Sequence, residues 1–432
     1  MHYKAVVVAV VLLVVCPVAF AQNTWVWSHR FELRADYRWS EEESHPIPGF
    51  PFPPDFPPPG QPRVLLQTPD PGHHVELNVA EVTLDLAYGD WFLARAKVHA
   101  QARHRANPTS NDRQFDADEL FVRIGKKPEM LERPDGTSFF VQAGKAPKME
   151  RQPTRLLESY GLAATAFNRF EDTQLLAGGT VGRNFYWRAQ VSNGNPLFFR
   201  DANALAGDNG TPDRVPPNPS PDIKSGFPIL YDAEVESLVF ETGNMEVGGA
   251  LGYRWQTEDQ RTGFDLIAFA YRRELAESAD LYGTFYNGDL DLLDGAFGIG
   301  GFTLTSNEKE DYGARLYGEW GNLAGTLQYT AQDIGGLERY GWEAEVGYHV
   351  PLNFGWIESI QPAARFSRLE NAYANPRFPA PSVNWDWDKI DAGVRVGLKH
   401  GLDVTAEYTV HKIESRFPLG LRETLVTVRW RV

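Results

Sequence analysis

The chain has 432 residues, with 57 Asp+Glu against 42 Lys+Arg and a formal net charge of -15 at pH 7, which excludes a nucleic-acid binder organised around a basic surface. A single cysteine excludes a disulfide scaffold and a zinc-thiolate site. With 39 Gly, 30 Pro and 13% aromatic residues, this length leaves two alternatives: roughly two or three soluble domains, or one large closed β-structure.

Residues 1–21 have the form of an export signal. Lys4 supplies a positive start, Ala5 to Val15 is an unbroken apolar run, and Ala19-Phe20-Ala21 matches the small-x-small cleavage pattern. The mature chain is expected to begin at Gln22 and to lack cysteine, because Cys16 lies in the signal. No later stretch approaches the roughly 18 consecutive apolar residues of a spanning helix. Residues 22–432 are expected to form one domain.

From Trp25 to Ser40 the pattern has a period of two. Trp25, Trp27, Phe31, Leu33, Ala35, Tyr37 and Trp39 share one face, and Arg30, Glu32, Arg34, Asp36 and Arg38 share the other. Aromatic residues bound the apolar face while charges fill its opposite, which is the pattern of a strand between lipid and a watery lumen. A soluble sandwich would bury the apolar face and leave the other mixed.

The strand expected over Val75 to Tyr88 changes face near Glu81-Val82, as a bulge would cause. From Trp91 to Arg105 the alternation places Arg95, Lys97, His99, Arg103 and Arg105 on one face. Facing a lumen, such a row would attract anions, unless acidic neighbours such as Glu119 or Glu76 neutralise it. Residues 91–169 hold 14 Lys+Arg and 9 Asp+Glu, an excess of +5, so the rest of the chain carries -20. Within this section Lys145, Lys148, Arg151, Arg155 and Arg169 lie along a long segment that can fold inward as a basic arm across a pore.

Further alternating rows follow at Met245 to Trp255, Tyr312 to Trp320 and Trp342 to Val350. Their other faces carry Glu246, Glu319, Glu343 and Glu345, and later strands add Asp391, Glu407 and Asp403. These carboxylates are candidates for an acidic wall opposite the arm, setting a transverse field. Thr424, Val426, Val428, Trp430 and Val432 form the apolar row of a closing strand.

Short connections are expected at Gly89-Asp90, Gly182-Arg183, Thr242-Gly243-Asn244, Gly321-Asn322 and His400-Gly401, and long ones at Glu41 to Gly72, Asn193 to Leu230 and Ala372 to Pro381. That alternation gives short periplasmic turns and long extracellular loops. The fold class is therefore all-β: a single closed transmembrane antiparallel β-barrel of roughly 16 to 18 strands, with Tyr282 to Gly301 its least regular stretch.

Residues 141–196 read VQAGKAPKMERQPTRLLESYGLAATAFNRFEDTQLLAGGTVGRNFYWRAQVSNGNP. This segment resembles the phosphate-selective porin O and P family through Gly144-Lys145-Ala146-Pro147, Arg169-Phe170-Glu171-Asp172 and Ser192-Asn193-Gly194. The resemblance implies an outer-membrane porin that passes small hydrophilic solutes, with phosphate as the family's characteristic cargo, and a homotrimer embedded in outer-membrane lipid. The second half, around Phe264 to Tyr271 and Tyr312 to Tyr329, is similar in texture to alginate-export barrels. Two departures stand out: the chain is acidic where the family's selective members have basic ladders, and it ends in Trp430-Arg431-Val432 rather than in an aromatic residue.

The competing expectation from another class is a secreted or periplasmic carbohydrate-binding protein or hydrolase of all-β fold, with aromatic rows gathered in one cleft. No Gly-x-Ser-x-Gly, Walker loop or His-Glu-x-x-His is present, so an enzyme is not expected. His73-His74 lacks a third ligand at a metal-binding spacing, and no cofactor is called for.

Overall fold

The computed structural model describes residues 24–41, 44–46, 65–67, 72–101, 115–128, 130–132, 136–152, 154–167, 171–194, 198–199, 230–231, 243, 245–275, 305–373, 386–414 and 419–432. The expected signal segment, and the irregular stretch Tyr282 to Gly301, lie outside them.

Strand β1 is Trp25–Ser40, β2 Gly72–Tyr88, β3 Phe92–Gln101 and β4 Phe115–Gly125. Next come β5 Ser138–Pro147, β6 Glu171–Val181, β7 Phe185–Ser192 and β8 Glu246–Gln256. They are followed by β9 Thr262–Glu274, β10 Glu308–Trp320, β11 Leu323–Ile334 and β12, which runs Leu337–Tyr348 and resumes at Val350–Phe354. The last are β13 Ile357–Tyr373, β14 Asp386–Leu398, β15 Leu402–Glu414 and β16 Leu419–Arg431. Both pieces of β12 pair with β13, so seventeen paired segments make sixteen antiparallel strands, each bonded to its neighbours in sequence.

The sheet closes on itself through β1 and β16, in register from Glu32 opposite Arg431 to Ser40 opposite Glu423. At one rim the closure is clipped by Phe31 N–H to the Val432 carbonyl at 2.9 Å and Val432 N–H to the Phe31 carbonyl at 3.0 Å. A closed barrel leaves no such edge unpaired, which removes the aggregation hazard of an open sheet.

The alternation seen in the sequence becomes inside and outside. In β1, Arg34, Asp36 and Arg38 are buried in the interior while the intervening Leu33, Ala35 and Tyr37 are only half-buried on the outer face. Trp27, Leu251, Trp320, Tyr348 and Trp430 are exposed outside, whereas Glu246, Arg254, Arg315, Glu345 and Thr427 are buried inside. Aromatic residues therefore ring the molecule instead of gathering in one cleft. An apolar exterior around a charged interior inverts the arrangement of a water-soluble sandwich.

Two bulges adjust the phase. Opposite Arg34 and Ala35, strand β2 carries Asn78 as an extra residue, so Asn78 and Val79 both turn inward, and the Asn78 side chain donates to Asp36. The face change expected at Glu81-Val82 thus occurs three residues earlier. A second register shift, between Lys97 and Val98, leaves Asp118 as the extra residue of β4 and brings both Asp118 and Glu119 to the lumen.

One rim carries tight turns at Gly89, Gly182, Gly321 and His400-Gly401, as expected. At Gly401 both reasons for glycine apply: φ is +73°, and a side chain would collide with the Arg431 carbonyl. The expectation for Thr242-Gly243-Asn244 is corrected. Gly243 stands just before β8 in the long β7–β8 connection, at the opposite rim. That rim also holds one tight turn not anticipated, Gly335-Gly336, whose φ values of 59° and 95° need glycine.

Candidate functional site

After β5 the chain does not return along the rim but enters the barrel as an arm, described over 148–152 and 154–167, with one short helix, α1 (Leu162–Ala166). Met149 anchors its beginning. It packs with Phe140, Leu176, Tyr186, Ile267, Phe269 and Tyr271 in an apolar cluster on the inner faces of β5 to β9. Beside it Lys148 binds Glu246, which also receives Lys309 at 2.9 Å, and the Lys148 ammonium lies 4.6 Å from the centre of the Tyr271 ring.

Irregular backbone inside a barrel needs partners for its N–H groups. Carboxylates of the wall supply them. Glu345 accepts the N–H groups of Leu156 and Leu157, both at 3.1 Å, and the Gln152 side chain at 2.6 Å. Glu407 accepts the N–H of Ser159 at 3.1 Å and that of Glu158. Glu343 accepts the N–H of Ala163 at 3.2 Å, and the Ser159 hydroxyl donates to Asp391 at 3.3 Å. Arg365, from β13, ties the group together through Asp391 at 2.8 Å, the Ser159 carbonyl at 2.9 Å and the Ser159 hydroxyl at 2.8 Å. Such charge-assisted bonds are about twice as strong as neutral ones, so the arm is held as part of the wall.

The other side of the arm borders a cavity of about 880 Å³. Across it stands β3, whose cations are paired with local acids. Arg95 forms a fork with Asp85 at 2.7 and 2.9 Å and reaches Glu119 at 3.5 Å. Lys97 lies 2.9 Å from both Glu81 and Asp118, and His99 lies 2.8 Å from Asp118. On the arm, Arg151 pairs with Glu171, and Arg155 stacks 3.7 Å from the Tyr160 ring centre while donating to the Glu158 carbonyl at 2.9 Å. No ion pair joins Arg155 to a carboxylate among the described residues.

Of the cations expected to line a lumen, Arg95, Lys97, Lys148, Arg151 and Arg155 border this cavity; Lys145 is buried in β5, 3.7 Å from Asp116. Arg103, Arg105 and Arg169 lie outside the described residues. The carboxylates expected on an acidic wall meet the arm by direct hydrogen bonds and ion pairs. Glu246, Glu343, Glu345, Asp391 and Glu407 touch the arm or its anchors directly and are 0–6% exposed. Glu319 sits lower, accepting the Tyr317 hydroxyl at 2.5 Å, and Asp403 lies 3.6 Å from Arg431.

Sequence reasoning left out the arginines that complete the lining. Glu158, on the arm, is surrounded by Arg395 at 2.6 Å, Arg429, and Arg34 at 3.9 Å. A signal was available, because each of these arginines lies on the charged face of its strand.

No known protein family matches the chain, and no curated protein matches its sequence. Solved structures do match. OprB of Pseudomonas putida superposes with a TM-score of 0.54 at 8% identity, covering 94% of each chain. The fold is that of an outer-membrane porin. The outer membrane channel DcaP of Acinetobacter baumannii gives 0.51 at 6% identity over 94% of this chain and 97% of that one. OmpF of Salmonella typhi, solved with daunomycin, gives 0.51 at 10% identity over 94% and 97%. At these identities the likeness concerns the barrel, and the porin fold carries no particular solute with it.

Proposed function

We propose that this chain forms a water-filled channel in the bacterial outer membrane, through which small hydrophilic solutes diffuse passively and anions are favoured, inorganic phosphate being the first to test. One observation carries the reading. The cavity beside the arm is bordered by fourteen Lys and Arg and ten Asp and Glu, an excess of four positive charges in a chain whose formal net charge is -15. The sign of the protein is reversed where a solute would pass.

A charged cleft between low-dielectric walls concentrates counter-ions well above their bulk level. In this reading Arg95, Lys97, Arg151 and Arg155 line the passage, and the docked arm narrows it. The carboxylates Glu246, Glu343, Glu345, Asp391 and Glu407 hold the arm and its anchors. No bond of the solute is made or broken. Residues 1–21 serve as the cleaved export signal, residues 22–432 form the barrel domain, and the resemblance to the phosphate-selective porins suggests a homotrimer.

The test is the reversal potential of the refolded mature chain in a planar bilayer under a potassium chloride gradient. Current selective for chloride is expected. Selectivity for potassium overturns the anion preference, and absence of conductance overturns the channel.

A further inference from the structure

Strands β4 and β5 are joined at the short-turn rim, where the chain needs few residues to reverse. Gly125 ends β4 and Ser138 begins β5, so residues 126–137 make a connection of twelve residues, whereas the six other hairpin turns of this rim take two to five. The strands themselves do not require the length, because they pair from Gly125 opposite Phe140 onward.

The connection turns inward. Of its described residues, Pro128 and Leu131 are buried and Met130 is half-buried, and Lys127, Pro128 and Met130 border the same cavity as the arm. Leu131 has φ +64°, a left-handed conformation that a leucine keeps only where its surroundings fix it. Fixing contacts come from both sides. Lys126 lies 3.5 Å from Asp90 and 3.8 Å from Glu132, and the Thr180 hydroxyl of β6 donates to the Gly136 carbonyl at 3.0 Å. From farther round the barrel Arg254, on β8, donates to the Glu132 carbonyl at 3.1 Å. Asp265 of β9, 3.8 Å from Arg254, and the Tyr186 ring, 4.5 Å from its guanidinium, set that arginine in place. Three strands stand between β4 and β8 in the sheet, so the segment cuts across the mouth instead of following the rim.

We infer that the β4–β5 connection is a strap that forms a second constriction at the short-turn mouth, in series with the arm, with Met130 narrowing the passage and Arg254 setting the strap's reach through the Glu132 carbonyl. The inference rests on the channel reading and adds a size filter to it. The two constrictions differ in kind. The arm presents Arg151 and Arg155 to the cavity, whereas the strap presents the uncharged Met130 and Pro128 beside Lys127. A narrow passage with apolar walls restricts by size and by loss of water, which a charged wall does not. Arg254 is a positioning residue in this arrangement, acting on the solute through the strap.

The experiment uses the refolded mature chain in planar bilayers. The sequence holds one cysteine, Cys16 in the expected signal, so Met130→Cys gives the mature chain a single thiol. Modification by benzyl methanethiosulfonate, which adds bulk without charge, should cut the single-channel current by about half or more, as obstruction of a narrow point does. The same reagent on Glu258→Cys, in the β8–β9 turn, should leave the current unchanged. Polyethylene glycols of graded mass, added to each side in turn, then locate the constriction. In Arg254→Gln, whose side chain is too short to reach Glu132, and in Met130→Gly, the largest polymer that enters should be at least about 1.5-fold heavier on one side only, because the arm still guards the other. Retained chloride current shows that each variant folds, and Met130→Gly serves if Arg254→Gln does not.

An unchanged current after modification of Met130→Cys overturns the strap and leaves the channel standing. So does an unchanged polymer limit in the folded variants, or one that rises equally on both sides, which would mean a general loosening of the barrel. A parent that does not conduct overturns the channel itself, and the strap falls with it.

Discussion

Ser159 donates its backbone N–H to Glu407 at 3.1 Å, although 248 residues separate them in the chain. The contact joins the arm after β5 to strand β15, on the other side of the barrel's sequence. Because Glu407 also takes the Glu158 N–H, and Glu345 takes those of Leu156 and Leu157, four consecutive backbone donors are held by two carboxylates. The arm is therefore a fixed part of the lumen wall, and its position is set by side chains of the barrel.

Removing that hold should widen the passage. Glu407→Gln keeps one oxygen acceptor but loses the charge, and each weakened charge-assisted bond costs the docked arm about 1.5–3 kcal/mol. With Glu345→Gln added, single-channel conductance and open-channel noise should both rise above the parent. Unchanged conductance in the double variant would mean that Met149 and its apolar cluster hold the arm alone.

Arg155 offers a sharper test of charge selection. It is half-buried, stacked on Tyr160, and has no carboxylate ion pair among the described residues, whereas Arg95 and Lys97 each have two acids nearby. Arg155→Ala should lower the ratio of anion to cation permeability by about two- to fivefold at low salt, and less at high salt where screening is strong. Substituting Arg95 should change it less. Equal effects at the two positions would contradict the view that neutralised cations contribute little.

The turn into helix α1 predicts a steric coupling. Gly161 has φ -83° and ψ 165°, a conformation open to any residue, yet a methyl group there would run into the Glu343 carboxylate. Gly161→Ala should destabilise the barrel by about 1–3 kcal/mol, as overpacking does. Glu343→Ala alone should also destabilise, because it strips the acceptor from the Ala163 N–H. The double variant should be more stable than the two separate losses added together, a coupling that thermal unfolding midpoints of the four proteins would detect.

How far the sequence foretold this arrangement depends on which residues are asked. A two-residue period decides the face of every side chain on an unbroken strand, so Glu343 and Glu345 on β12 could be assigned to the interior with no knowledge of their neighbours. Glu119 could be named as a neutralising partner of the β3 row, and it stands 3.5 Å from Arg95. Asp118 could not be set beside it. Strict alternation sends adjacent residues to opposite faces, and only the bulge in β4 brings both inward. The arm's cationic character was legible as well. Its docking was not, because acceptance of N–H groups by Glu345 and Glu407 depends on where an irregular backbone runs, and no periodicity encodes that. Nor does spacing along the chain reveal Glu158 among Arg34, Arg395 and Arg429, which comes from the sheet's closure.

The outer surface makes the last prediction. Leu251 stands in the middle of β8, opposite Trp187 on β7 and Ala268 on β9, and is 72% exposed. In water an exposed leucine can become arginine at almost no cost. Against hydrocarbon, an arginine at mid-strand of a membrane barrel costs about 2–4 kcal/mol, falling toward zero near the interfaces. Leu251→Arg should therefore lower the unfolding midpoint of the protein refolded in lipid vesicles, while Glu258→Arg, in the β8–β9 turn at the rim, should leave it unchanged. If the two variants unfold together with the parent, the apolar belt does not face lipid. A loss confined to Leu251→Arg ties the apolar faces of the alternating strands to the bilayer by their depth as well as by their composition.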